Sequence, residues 1–173
     1  MKIKLMLVGT LSAMLLVGCG DASTESVSGS VESDTGAENV EEAEEVAEEA
    51  TEQINQVIAD NENFKITLLD IAKVSDDIWG NSIEVKFDVE NKRAETITVQ
   101  ARDVSADGRM VDDALIMMSD DIATGKVGTV RLEIMELDGY DFPELNSDLE
   151  LTLRVFSWDN YDYQEEIPVK VSF

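Results

Sequence analysis

The sequence predicts an all-β domain over residues 63–173, a seven-stranded antiparallel sandwich of two sheets. Three observations predict it. From Asn63 onward apolar and polar residues alternate at period two, as in strands with one buried face. The alternating runs are short, and Gly, Asn and Asp residues punctuate them. The chain has one cysteine, so no disulfide forms within it and the domain relies on packing.

The strands follow in order. Phe64, Ile66 and Leu68 alternate with Lys65 and Thr67; Ile83, Val85, Phe87 and Val89 alternate with Glu84, Lys86 and Asp88. Ile97, Val99 and Ala101 make a third set, and Val130, Leu132 and Ile134 a later one. Leu149, Leu151, Leu153 and Val155 precede a last strand through Ile167, Val169, Val171 and Phe173. A seventh strand is expected over residues 110–118, where Leu115 to Met118 form a continuous apolar run. Gly80-Asn81 and Asp159-Asn160 carry turn chemistry, and Asp107-Gly108 is a hairpin signal. Asp138-Gly139 opens a longer connection with Pro143 and room for one helical turn. The architecture is Ig-like, without the Cys…Trp…Cys signature of true immunoglobulin domains.

The front of the chain has a different character. Lys2 and Lys4 precede an apolar run over residues 5–17. Roughly thirteen residues suit a signal-peptide core, whereas a membrane span needs about 20. The run closes on Leu16-Val17-Gly18-Cys19, which resembles the lipobox of bacterial lipoproteins. That resemblance implies a diacylglyceryl group on the Cys19 thiol and cleavage after Gly18. Residues 1–18 would then be a removed signal peptide. Cys19 would be a lipid-anchored N-terminus on the extracytoplasmic face of the cell membrane, since two acyl chains hold stably where one does not.

Residues 19–62 read as an acidic linker. Between Gly20 and Glu62 stand fourteen acids and no base. Residues 20–36 have too little apolar surface to offset ordering and are expected to be disordered. A helix is possible over 40–59, where Val40, Ala43, Ala47, Ala50, Ile54 and Val57 make a coiled-coil seam. Four like-charge glutamate pairs four residues apart oppose it, at about 1–2 kcal/mol in all. The expectation is a marginal helix on an acidic stalk; an oligomerising coil is the alternative. Fully extended, about 43 residues would span on the order of 150 Å and lift the domain off the membrane.

A second resemblance covers residues 64–173. Phe87-Asp88-Val89-Glu90-Asn91-Lys92 and the stretch from Ile97 to Val104 look like a recurring Ig-like domain of Gram-positive lipoproteins. Met110-Val111-Asp112, Ala123-Thr124-Gly125-Lys126 and Leu153-Arg154-Val155-Phe156 extend the likeness, with Thr124 where proline is expected. These are turn and core residues, so the resemblance implies a fold and no particular activity.

Charge and composition narrow the function. A formal net charge of −25 repels nucleic acid, which is excluded as a partner. With no histidine there is no Ser-His-Asp or Cys-His relay and no HExxH zinc site. Paired carboxylates could serve glycoside hydrolysis, but the sequence singles out no two of them. The expectation is a non-catalytic protein without a cofactor. Candidate binding residues are Trp79, in the loop before Gly80, and Trp158, Tyr161 and Tyr163 around Asp159-Asn160. Such aromatics either stack on a sugar ring or protein ligand, or close the ends of the sandwich. Asp76-Asp77, Asp112-Asp113, Asp120-Asp121 and Asp159 with Asp162 are candidate calcium ligands without an EF-hand loop, and no metal is expected. The expected function is display of a binding module at the cell envelope, toward an envelope protein or a glycan. The alternatives are envelope assembly through the 40–59 helix and a calcium- or sugar-binding module at the loop ends.

Overall fold

The computed structural model describes residues 22–31 and 54–173. The expected signal peptide, Cys19 and most of the expected 40–59 helix lie outside the described residues. The described chain is all-β, two six-stranded antiparallel sheets around one apolar core. The expected sandwich is there, but with twelve strands among the described residues rather than seven.

The first sheet is built on three long strands: β4 (Phe64–Asp76), β5 (Gly80–Asn91) and β10 (Val127–Met135). The second is built on β6 (Ile97–Ala106), β11 (Asp148–Phe156) and β12 (Gln164–Ser172). Period-two patterning sets the faces. Phe64, Ile66, Leu68, Ile83, Val85, Phe87 and Val89 point inward from the first sheet and are fully or almost fully buried. Val99, Leu149, Leu151, Leu153, Val155 and Val171 meet them from the second. β4 runs past its expected end because a bulge between Leu68 and Asp70 absorbs one residue. The bulge resets the alternation, so Ile71 is buried too.

The extra strands come from two segments that pass between the sheets. β1 (Ala22–Ser26) pairs with Ala72 to Asp76 of β4, and β2 (Ser30–Val31) pairs with Val171 and Ser172 of β12. The crossing falls at Gly29, where an added Cβ would stand 2.6 Å from Val171 Cγ1 and 2.9 Å from Phe173 Cδ1. β3 (Gln56–Asp60) then pairs with the first half of β4. On the other side, β7 (Arg109–Met110) and β9 (Ser119–Ile122) both pair with β6, while β8 (Ile116–Met117) pairs with β10. A single 3₁₀ turn, Asp113–Leu115, lies between β7 and β8. The outer edges of β4 and β6 are thus paired along most of their length, while β10 and β12 are paired there over two residues each.

Four sequence expectations are corrected here. Residues 22–31 belong to the sandwich, not to a disordered spacer, because β4 offers an open edge that a mostly polar segment can pair through its backbone, with Val27 packed against the core. Residues 56–59, expected as the end of a helix, are strand; Ile54, Ile58 and Ala59 pack against the core instead of forming a helical seam. The folded unit therefore does not begin at residue 63. The strand expected over 110–118 is broken into β7, the 3₁₀ turn and β8, since the chain leaves one sheet for the other there and only Leu115 of its apolar run is fully buried. Asp107-Gly108 does form the expected hairpin turn, with φ of 52° and 72°.

Candidate functional site

The four candidate aromatics are divided between opposite ends of the sandwich. Trp79 lies in the β4–β5 turn, at the end where β1 starts, since Ala22 stands opposite Asp76. Trp158, Tyr161 and Tyr163 lie in the β11–β12 connection, at the end where β4 starts and β5 finishes. β4 is 13 residues long, which puts the ends on the order of 40 Å apart.

The Tyr163 end is cross-linked. Just before β4, Asn61 Nδ2 donates to Glu165 Oε2 at 2.9 Å and Asn63 Nδ2 to Glu165 Oε1 at 2.6 Å, joining the first sheet to β12 of the second. Asn61 Oδ1 accepts from the N–H groups of Asn63 and Phe64, which fixes the entry to β4. From the β5–β6 connection, Arg93 lies over the Tyr163 ring, 3.5 Å from its centroid. The same guanidinium donates to Asn63 Oδ1 at 2.7 Å and is paired with Glu95. That pairing, ahead of other influences, lowers the Glu95 pKa. The Tyr163 hydroxyl is buried beside Glu165 without a hydrogen bond of normal geometry; burial first, then the Glu165 charge, raises the pKa of its phenol.

Beneath this layer Asn91 is buried, and its partners were invisible in the sequence. Its Nδ2 donates to Glu95 O and Ile122 O at 2.9 and 2.8 Å, and its Oδ1 accepts from Arg93 N at 2.9 Å. One side chain thus holds the β5–β6 connection against the end of β9. The only hint was its place at the end of an alternating run, where the pattern puts it on the inner face.

Trp158 and Tyr161 stand outside the cross-link, 60 % and 83 % exposed. Trp158 meets Phe156 edge to face, with centroids 5.0 Å apart. Arg154 lies over the Phe156 ring, 5.0 Å from its centroid. The three candidates near the Asp159-Asn160 turn therefore separate in role. Tyr163 packs within the domain, while Trp158 and Tyr161 stay exposed next to Asn160 and Asp162 in the chain.

The Trp79 end is more open. Asp76 Oδ1 accepts from the N–H groups of Ile78 and Trp79 at 2.7 and 2.9 Å, and Gly80 takes φ of 82° to close the turn. A cleft of about 690 Å³ lies beside it, between β1, β4 and β5 and the 142–146 segment, with Lys73, Glu25 and Phe142 in its walls. That segment takes no helical turn. It is held by Asp107, whose Oδ1 accepts from Asn146 N, Ser147 N and Ser147 Oγ at 2.6 to 2.9 Å. Burial opposes ionisation of Asp107, but these donors outweigh it and lower its pKa.

Three of the candidate calcium ligands are used locally. Asp76 caps its turn, Asp112 accepts from Ala114 N, and Asp121 accepts from Thr98 Oγ1 at 2.6 Å. Among the described residues no three carboxylates gather where they could share an ion. Nor, among them, is any helix long and apolar enough to cross a membrane. No family model, curated protein or solved structure matches this chain.

Proposed function

We propose that this chain is a lipid-anchored extracytoplasmic protein whose Ig-like sandwich presents Trp158 and Tyr161, without catalysis, to a glycan or protein ligand of the cell envelope. The observation that carries this reading is the position of Ala22. Three residues after Cys19, the chain enters the sandwich at the end opposite Trp158 and Tyr161. A chain held at Cys19 is held close to the Trp79 end, and the aromatic pair is then the part farthest from the anchor. The spacer reading gives way accordingly. Cys19 and Ala22 are at most about 10 Å apart along an extended backbone, so the chain does not lift the domain through a long stalk. Residues 32–53 join two strands of the same sandwich and are not the link to the lipid.

Two exposed rings flanked by Asn160 and Asp162 suit a ligand with an apolar face and peripheral hydroxyl or amide groups, which sugars and peptide turns both have. Assembly through the 40–59 helix loses support, because residues 56–59 belong to β3. The test is co-sedimentation of the purified domain with isolated cell envelopes. The domain is expected to sediment, and Trp158→Ala with Tyr161→Ala to abolish this while the fold is kept. Equal sedimentation of both proteins contradicts the ligand-binding role. Mass spectrometry of the mature N-terminus tests the anchor separately, with a diacylglyceryl-modified Cys19 expected.

A further inference from the structure

Ile78 and Trp79 form the tip of the β4–β5 turn and are 74 % and 85 % exposed. Two adjacent large apolar side chains this free of the protein are not explained by packing. The Asp76 cap fixes the turn through both their N–H groups, so they project from a shaped tip. Leu137 and Tyr140, also partly exposed, stand at the same end, because Glu136 N donates to Asn81 O and places residues 136–140 beside the start of β5.

What covers this tip follows from where the chain leads. Ala22 pairs with Asp76, the first residue of the turn, and the remaining chain toward Cys19 spans about 10 Å at most. On the reading that Cys19 is acylated, acyl chains enter the bilayer within that distance of Ala22, which stands opposite the end of β4 that leads into the Ile78–Trp79 turn. We propose that Ile78 and Trp79 are a membrane wedge. They rest in the bilayer interface beside the lipid anchor, and the sandwich stands on its Trp79 end with Trp158 and Tyr161 outermost.

Tryptophan suits this depth, since its ring is apolar and its indole N–H remains near the polar headgroups. The acids at this end set a limit on depth. Asp76, Asp77, Glu136 and Asp138 oppose anionic headgroups and cannot enter the hydrocarbon, so contact is shallow. A shallow wedge is enough, because the short link to the anchor makes its contact with the bilayer effectively intramolecular. The occupant is thus a bilayer surface, and the wedge orients a domain that the acyl chains already hold.

The chain has two tryptophans, one at each end, which makes the test direct. The full mature protein is purified with its N-terminus intact and reconstituted in phosphatidylcholine vesicles carrying brominated acyl chains. In Trp158→Phe, Trp79 is expected to shift to the blue and lose most of its emission; in Trp79→Phe, Trp158 is expected to keep its emission. A water-like, unquenched Trp79 in protein that floats with the vesicles overturns the wedge and leaves the anchor standing. Quenching of both tryptophans means that the domain lies flat and also overturns it. Absence of the acyl mass on Cys19 overturns the premise instead, and the mass spectrum separates that failure from the other two.

Discussion

The two ends of the sandwich use similar residues for opposite purposes. At the Tyr163 end, Arg93, Asn61, Asn63 and Glu165 bridge the sheets, and an aromatic ring is the floor on which the guanidinium rests. At the Trp79 end a cleft lies between the first sheet and the 142–146 segment, and the aromatic tip stands in solvent. An aromatic residue beside a turn is thus a packing element at one end and a free surface at the other. The difference lies in the partners that the opposite sheet supplies.

Asn91→Ala should separate the ends most sharply. It leaves Glu95 O, Ile122 O and Arg93 N without their buried partner, and a loss of about 2–4 kcal/mol is expected in urea unfolding. Trp79→Ser, at the open tip, should change stability by no more than about 0.5 kcal/mol. Comparable losses from the two would contradict the contrast.

Gly29→Val is expected to cost about 1–3 kcal/mol, because its Cβ meets Val171 and Phe173 where the chain crosses between sheets. Part of that loss should appear as release of β1 and β2, seen as faster proteolysis within residues 22–31. A variant with wild-type protease resistance there would show that the crossing is not tightly packed.

Smaller still is the effect of removing the exposed rings at the Tyr163 end. Trp158→Ala with Tyr161→Ala should lower stability by about 0.5–1.5 kcal/mol, mostly through the lost edge contact with Phe156. Envelope binding should fall far more than stability. A large loss of stability in thermal unfolding would return both residues to a structural role.

Asp107→Asn should give a small loss of stability at neutral pH that disappears in acid. The folded pKa of Asp107 lies below the ordinary 3.8, so the stability it contributes is present above that value and is lost as pH falls through the lower folded one. Asp107→Asn should flatten the acid limb of the stability–pH curve below about pH 4. An unchanged limb would mean that Asn146 and Ser147 do not hold the carboxylate.

Much of the central sandwich was legible in the sequence. Runs such as Ile83 to Val89 and Leu149 to Val155 state their inner face by alternation, and Asp107-Gly108 states its hairpin. What was hidden has a common cause. Residues 22–31 have no apolar periodicity, because they join the fold mainly through backbone hydrogen bonds to the edges of β4 and β12, with Val27 alone of their apolar side chains packed on the core among the described contacts. A heptad-like spacing at Ile54 and Val57 competed with strand pairing and lost once β4 offered an edge to β3. The bulge after Leu68 shifted the phase, so β4 read as ending early. Among the candidate residues, all four aromatics were visible, but their division between the two ends was not. Nor was Asn91, whose partners are 4 and 31 residues away.

The orientation of the whole molecule depends on β1 and β2 being docked. The most direct measurement is amide hydrogen exchange over residues 22–31 of the mature chain, with Val27, whose N–H donates to Ile71 O at 2.8 Å, as the reporter. Protection of Val27 well above that of an unstructured peptide, lost in Gly29→Val, is the expected result. Exchange at the unstructured rate in the wild-type protein would restore residues 20–36 as a free spacer and detach the Trp79 end from the anchor.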